Sequence, residues 1–235
     1  MKEEVISSFL KEVFMKVKKF IQWLPGIISE LIAALFCIIY AVIDGSKATM
    51  YFQLLTAFLL PFIFPIYGVI SKKPLPLILS IISAVFVIFA SGLGSAMGLY
   101  DKIYCWDLIM HGIFGFACSL IIFVLLIRCN GNKLNPIGFM IIIFLVTMGV
   151  AAIWEIIEYL ADRLMDGDSQ RVLESVALGK SPVADTMEDI MIAMAGCAVF
   201  FVTLFIDKFC NYKLYSRLCD FTGFEKSKDN ISSIE

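Results

Sequence analysis

Residues 136–161 read PIGFMIIIFLVTMGVAAIWEIIEYLA, an apolar run interrupted only near its end by Glu155 and Glu158. A helix crossing a hydrocarbon core of about 30 Å needs about 20 such residues. The run is continuous, not alternating, which argues against a barrel strand. Backbone polar groups in lipid must be satisfied within the segment, so the stretch predicts a membrane-spanning helix. Ionisable groups inside such a helix are costly and mark function by default. One segment therefore decides the fold class and shows where to look for a site.

Working outward, five further runs have the same character: about 21–43, 51–70, 75–98, 105–128 and 185–207. Hydrophobic residues make up 60% of the 235, above the roughly 45–50% of soluble domains. The expected fold is all-α, a polytopic six-transmembrane-helix bundle. Residues 1–20 differ, because Val5, Ile6, Phe9, Leu10, Val13, Phe14, Val17 and Phe20 recur at helical spacing among lysines. That pattern predicts an N-terminal amphipathic interfacial helix, and no small-residue cleavage site follows to make it a removable signal. The expected organisation is an amphipathic helix over 1–20, a membrane domain over 21–207 and a polar tail over 208–235.

Basic residues are retained on the cytoplasmic side. With six spans, the side shared by the termini holds the lysines of residues 1–20, Lys72, Lys73, Arg128, Lys133 and the basic tail; the other holds Lys47, Lys102, Arg163, Arg171 and Lys180. Both termini are expected in the cytoplasm, and the acids gather on the outer side. Prolines 61 and 65 should kink the second span. The small residues of Ser91-Gly92-Leu93-Gly94-Ser95-Ala96-Met97-Gly98 suit close helix packing. Seven cysteines show no paired spacing and read as buried free thiols.

The acids repeat at helical steps. Asp107 and His111, the sole histidine, are four apart; Glu155, Glu158 and Asp162 are three and four apart; Asp185 and Asp189 are four apart. Such spacings place side chains on one helix face. Helix rise of about 1.5 Å per residue puts Asp107, Asp162 and Asp185 in a shallow layer, with His111, Glu158 and Asp189 about 6 Å deeper and Glu155 deeper still. Asp107 or Asp185 alone reads as a helix-start acid, and Glu188 as a headgroup-level acid. Glu30, alone in the first span, is expected to meet a polar partner. Crowded carboxylates in a low dielectric need protons, a basic neighbour or a metal ion.

The economical expectation is a divalent metal ion. His111, Glu158 and Asp189 are the first candidates as ligands, with Glu155 next and Asp107, Asp162 and Asp185 as outer ligands or supporting partners. Mixed imidazole and carboxylate ligation suits zinc, manganese or iron, whereas oxygen alone favours magnesium or calcium. The corresponding activity is a metal-dependent hydrolase or transferase acting on lipid or lipid-linked envelope material, with Glu155 or His111 moving the proton. Two other readings remain open: proton-coupled transport of a cation or amine, and a purely structural polar contact between helices. No internal repeat supports a transporter. The long loop over 162–184 suits a lid, and its Asp166-Gly167-Asp168 stretch lacks the later ligands of a calcium loop. No phosphate loop, nucleophile elbow or dense arginine patch supports nucleotide chemistry or nucleic-acid binding.

Over roughly residues 100–200 the chain resembles the YjdF-like family of bacterial inner-membrane proteins, and more distantly the VanZ-like membrane proteins. The resemblance rests on Asp107 to His111 followed by Phe114-Gly115, on Trp154-Glu155-Ile156-Ile157-Glu158, on Asp185-Thr186 with Asp189, and on Gly196. Gln170 looks like the glutamine often found between the last two motifs. The resemblance implies a multi-pass protein of the bacterial cytoplasmic membrane and no particular reaction. The lipid bilayer is the expected partner, and the oligomeric state is left open.

Overall fold

The computed structural model describes residues 13, 16, 17, 20–43, 60–71, 75–103, 105–129, 134–165, 167–211, 213 and 214. These are helical throughout their regular structure, with no strand among them. In chain order the helices are α1 (Leu24–Ile43), α2 (Ile63–Ile70), α3 (Leu77–Val87), α4 (Leu99–Lys102), α5 (Trp106–Arg128), α6 (Pro136–Met165), α7 (Val172–Ala177) and α8 (Ala184–Phe209). Among the described residues, four stretches are long and apolar enough to cross a membrane: Leu77–Ser95, Trp106–Arg128, Pro136–Leu164 and Ala184–Phe209. The shorter apolar helices Leu24–Leu35 and Leu60–Ile70 fall in the first two expected spans. The rest of the second span, most of the amphipathic segment and nearly all of the tail lie outside the described residues.

The chain divides into two compact units, Met1–Leu99 and Tyr100–Glu235. In the first, α1 packs on α3 and on the π-helix Ile88–Ala96 that continues α3. Where close packing through small residues was expected, the helix widens, and the Met97 amide donates to the Gly92 carbonyl five residues back. A π-helix of this length is rare, and the glycines of the stretch ease the departure from α geometry. Pro61 sits in a 3-10 turn, Leu60–Phe62, that leads into α2. Buried Ser29 and Ser83 donate to carbonyls of their own helices, Gly26 and Ser80. Among the described residues, Glu30 Oε1 is buried without a hydrogen-bond partner.

The second unit is built on α5 and α8, which share its most extensive contact. A Cβ on Gly115 would lie 2.0 Å from the Ala193 carbonyl oxygen, and one on Gly196 would lie 2.1 Å from that of Gly112. Only glycine permits this approach. The two helices run parallel, since Gly115 meets Ala193 while His111 meets Asp189 one turn earlier on each. α6 runs antiparallel beside them. Its Thr147 hydroxyl lies 3.1 Å from that of Ser119, and its Phe139 ring stands edge-on to Phe123. Asn135 caps α6 by accepting from the Gly138 amide at 2.6 Å, with Pro136 at the first helical position.

Many large apolar side chains on these helices stay exposed, Leu145 and Val202 among them, as bilayer-facing residues should. The thiols correct the expectation of burial: Cys197 is buried, Cys118 half-buried, and Cys105, Cys129 and Cys210 are exposed, all free.

Candidate metal centre

Asp107 and His111 lie on the first turns of α5, Glu155 on the second half of α6 and Asp189 on the second turn of α8. Parallel α5 and α8 bring their starts to one level, and antiparallel α6 returns to it. His111 Nε2 lies 3.5 Å from Asp107 Oδ1 and 3.6 Å from Asp189 Oδ2; on the other side of the ring, Nδ1 lies 4.0 Å from Glu155 Oε1. The side chains are withdrawn from solvent, Asp189 at 1% exposure and Glu155 at 5%. All of these separations exceed hydrogen-bond length. Among the described residues, neither oxygen of Glu155 and neither of Asp189 has a hydrogen-bond partner.

Ligand atoms of Asp107, His111 and Asp189 all lie within 4.8 Å of one another. Two donors about 2.1 Å from a shared ion at a tetrahedral angle stand about 3.4 Å apart. The two Nε2 distances are therefore close to what an ion would require. Glu155 stands behind the imidazole, in the position from which a carboxylate fixes a ligating histidine's tautomer.

The other expected site residues have hydrogen-bond or ion-pair partners of their own, although Glu158 and Asp185 stay within electrostatic reach of Asp107. Glu158 accepts from the Trp154 indole at 2.8 Å, so of the two α6 glutamates it is Glu155 that faces His111. Asp162 accepts from the backbone amides of Ser169 and Gln170 at 2.7 and 3.0 Å, tying down the start of the following loop. The Gln170 amide donates to the Glu155 main-chain carbonyl at 3.2 Å and to the Thr186 hydroxyl at 3.1 Å, bridging α6 and α8. Asp168 caps α7 through the Val172 amide at 2.8 Å, and Gly179, at φ 70°, closes the helix. Glu188 pairs with Lys180.

The loop also carries the site's positive charge. Arg171 adopts left-handed backbone angles, φ 46° and ψ 36°, which are strained for a non-glycine residue and persist only where the surroundings hold them. Its guanidinium pairs with Glu174, and Nη1 lies 4.0 Å from Asp107 Oδ2. Burial works against that charge, but Glu174, Asp107 and Asp185 outweigh it and hold Arg171 above the ordinary arginine pKa. Of the basic residues considered in the sequence, Arg163 instead lies over the Tyr159 ring.

Tyr100, on α4, was not anticipated. Burial raises its phenol pKa, and negative charge on Asp107, Glu158 and Asp189 raises it further. No spacing pattern links Tyr100 to these acids, and interfacial tyrosines are common enough to pass unnoticed.

Residues 27–208 match the family described as "Predicted membrane protein (DUF2238)". A Thermotoga maritima protein titled "Uncharacterized protein" is 25% identical over 133 residues, a stretch covering 56% of this chain and 64% of the relative. The chain thus spans less than two thirds of that relative's length. No solved structure matches it.

Proposed function

We propose that this chain, which belongs to the DUF2238 family of predicted membrane proteins, holds a divalent metal ion on Asp107, His111 and Asp189 and uses it for hydrolysis or group transfer on lipid or lipid-linked material. One observation carries the reading: buried Asp189, without a hydrogen bond to either oxygen, faces the same imidazole nitrogen as Asp107 at nearly the same distance. Leaving a buried carboxylate unpaired is strongly unfavourable. An ion would satisfy both aspartates together. The nitrogen donor favours zinc, manganese or iron over magnesium or calcium.

When bound, the ion would supply Lewis acidity to a carbonyl or phosphoryl oxygen. His111 would hold the ion through Nε2, with Nδ1 facing Glu155 Oε1. Glu155, on the Nδ1 side of that ring, would hold the imidazole's orientation, and the proton of the attacking water would end on the departing oxygen as the scissile bond breaks. Gln170 and Asp162 position the loop that carries Arg171, and Arg171 offsets the charge of Asp107. Asp185 and Glu158 are supporting carboxylates. The reading keeps six spans with both termini in the cytoplasm of a bacterial cell, which places the centre at the outer leaflet. It is also consistent with the resemblance to YjdF-like and VanZ-like membrane proteins.

Elemental analysis of protein purified at neutral pH without chelator tests the premise. The expected result is roughly one divalent ion per chain, as for a single centre, lost in His111→Ala and Asp189→Ala but kept in Glu188→Ala. Metal-free wild-type protein overturns it. Mass spectrometry of a bacterial lipid extract, incubated with the protein with and without chelator, tests the chemistry. A lipid profile unchanged by active, metal-loaded protein rejects the catalytic half.

A further inference from the structure

The connection between α6 and α8 meets the site through consecutive residues. Ser169 and Gln170 donate their backbone amides to Asp162 near the end of α6. The Gln170 side-chain amide reaches further in, to the Glu155 carbonyl at 3.2 Å and the Thr186 hydroxyl at 3.1 Å. Arg171 follows at once, its guanidinium on Glu174 and its Nη1 4.0 Å from Asp107 Oδ2. We propose that residues 169–177 form a lid over the His111 centre, latched by Gln170 as its positioning residue, and that unlatching withdraws Arg171 from Asp107 and admits the ion. The ion belongs to the metal-centre reading above, whereas the latch stands on the loop's own contacts.

Polar contacts, not apolar burial, hold this segment down. Leu173 and Val176 stay exposed, at 74% and 54%, while the residue that α7 buries is the small Ser175. An apolar side chain left exposed adds no burial free energy. Hydrogen bonds give little net stability, because water replaces them on opening. A segment with few buried apolar contacts opens locally while the rest of the fold stays intact.

The backbone of Arg171 gives that opening a direction. Its left-handed φ of 46° is unfavourable for a residue with a Cβ and persists only where neighbours hold it. Gln170 is the neighbour whose side chain ties the loop to α6 and α8 together. Asp162 holds the loop to α6 alone, and Asp168 caps α7 from within the loop. Releasing Gln170 therefore frees the strained residue and, with it, the charge that stands on Asp107. The two acceptors also put the latch at the centre: the Glu155 carbonyl belongs to the residue whose carboxylate faces His111 Nδ1, and Thr186 lies three residues before Asp189. Beyond α7, Gly179 at φ 70° has open space around it and serves as a hinge.

Hydrogen–deuterium exchange of the full chain in detergent, with metal removed by chelator, tests the latch. In Gln170→Leu, which keeps the bulk and loses both donated bonds, exchange across residues 171–178 should rise about tenfold while α5 and α8 keep wild-type rates. Thr186→Val, which removes one acceptor, should raise it less, and Thr186→Ser, which keeps the hydroxyl, should exchange as wild type does. Loop exchange equal in Gln170→Leu and wild type overturns the inference, and so does an equal rise in α5 and α8, which would make Gln170 a plain structural contact. If Gln170→Leu folds poorly, the Thr186 variants decide, and equal exchange in the two overturns the latch. In metal-loaded protein, Gln170→Leu should release its ion to excess chelator about tenfold faster with unchanged content at saturation; unchanged release overturns the gate. A loop-confined rise in protein that never binds metal leaves the latch standing and removes the metal-centre reading instead.

Discussion

Helices α5, α6 and α8 bury two polar layers, and they differ in how those layers are satisfied. In the deeper layer, Ser119 donates to the Gly115 carbonyl at 2.7 Å and lies 3.1 Å from the Thr147 hydroxyl, both residues fully buried. In the shallower layer, Glu155 and Asp189 are buried as deeply without one hydrogen bond to their carboxylates. Hydroxyls can complete themselves on nearby carbonyls, as Ser29 and Ser83 also do in the first unit. Carboxylates accept only, so they require a donor or a cation from elsewhere. The same helices thus carry one layer that completes itself and one whose carboxylates find no donor among the described residues.

The contrast depends on the α5–α8 seam, and breaking the seam should have the largest effect. Gly115→Leu drives a side chain into the Ala193 carbonyl, beyond the roughly 1–3 kcal/mol of ordinary overpacking. Loss of the folded, monodisperse peak in size-exclusion chromatography is expected, and a wild-type elution profile would show that the seam is looser than described.

A smaller effect should separate the two layers directly. Asp189→Asn is expected to stabilise metal-free protein by about 1–2 kcal/mol, because an unsatisfied buried carboxylate costs at least that much. Added metal should reverse the ranking, since ligand at 100 times its dissociation constant stabilises wild type by about 2.7 kcal/mol and the variant hardly at all. Thermal unfolding with and without metal measures both, and identical responses would dissolve the distinction between the layers. The smallest change belongs to the deeper layer: Ser119→Ala should cost about 0.6 kcal/mol and leave metal content untouched. A Ser119→Ala protein that loses its metal would show the layers to be coupled.

Much of this was legible in the sequence. Continuous apolar runs announced helices, and the four-residue steps of Asp107–His111 and Asp185–Asp189 announced polar faces at matching depth. The choice between Glu155 and Glu158 was not legible. They differ by about 60° around the helix axis, and the rotation of α6 that separates them is set by tertiary contacts such as Ser119 with Thr147. Asp162 looked like a ligand because a helical step cannot reveal that a later loop returns its amides to that carboxylate. Arg171 was visible only as a charge, since left-handed backbone is disfavoured for arginine and comes from the loop's other anchors. The π-helix at Ile88–Ala96 has no apolar pattern that distinguishes it from an α-helix.

The distribution of the ligand atoms between parallel α5 and α8, with α6 returning between them in the chain, also sets an order of events during synthesis. At about 5–20 residues per second, Asp107 and His111 are synthesised about 4–16 s before Asp189, and Glu155 about 2–7 s before it. For that interval the hairpin of α5 and α6 carries its acids without Asp189, so on the proposed metal reading loading would follow integration of α8. A chain arrested before that helix would remain an incomplete binder, and a membrane quality-control protease could recognise it by the carboxylates it cannot yet shelter.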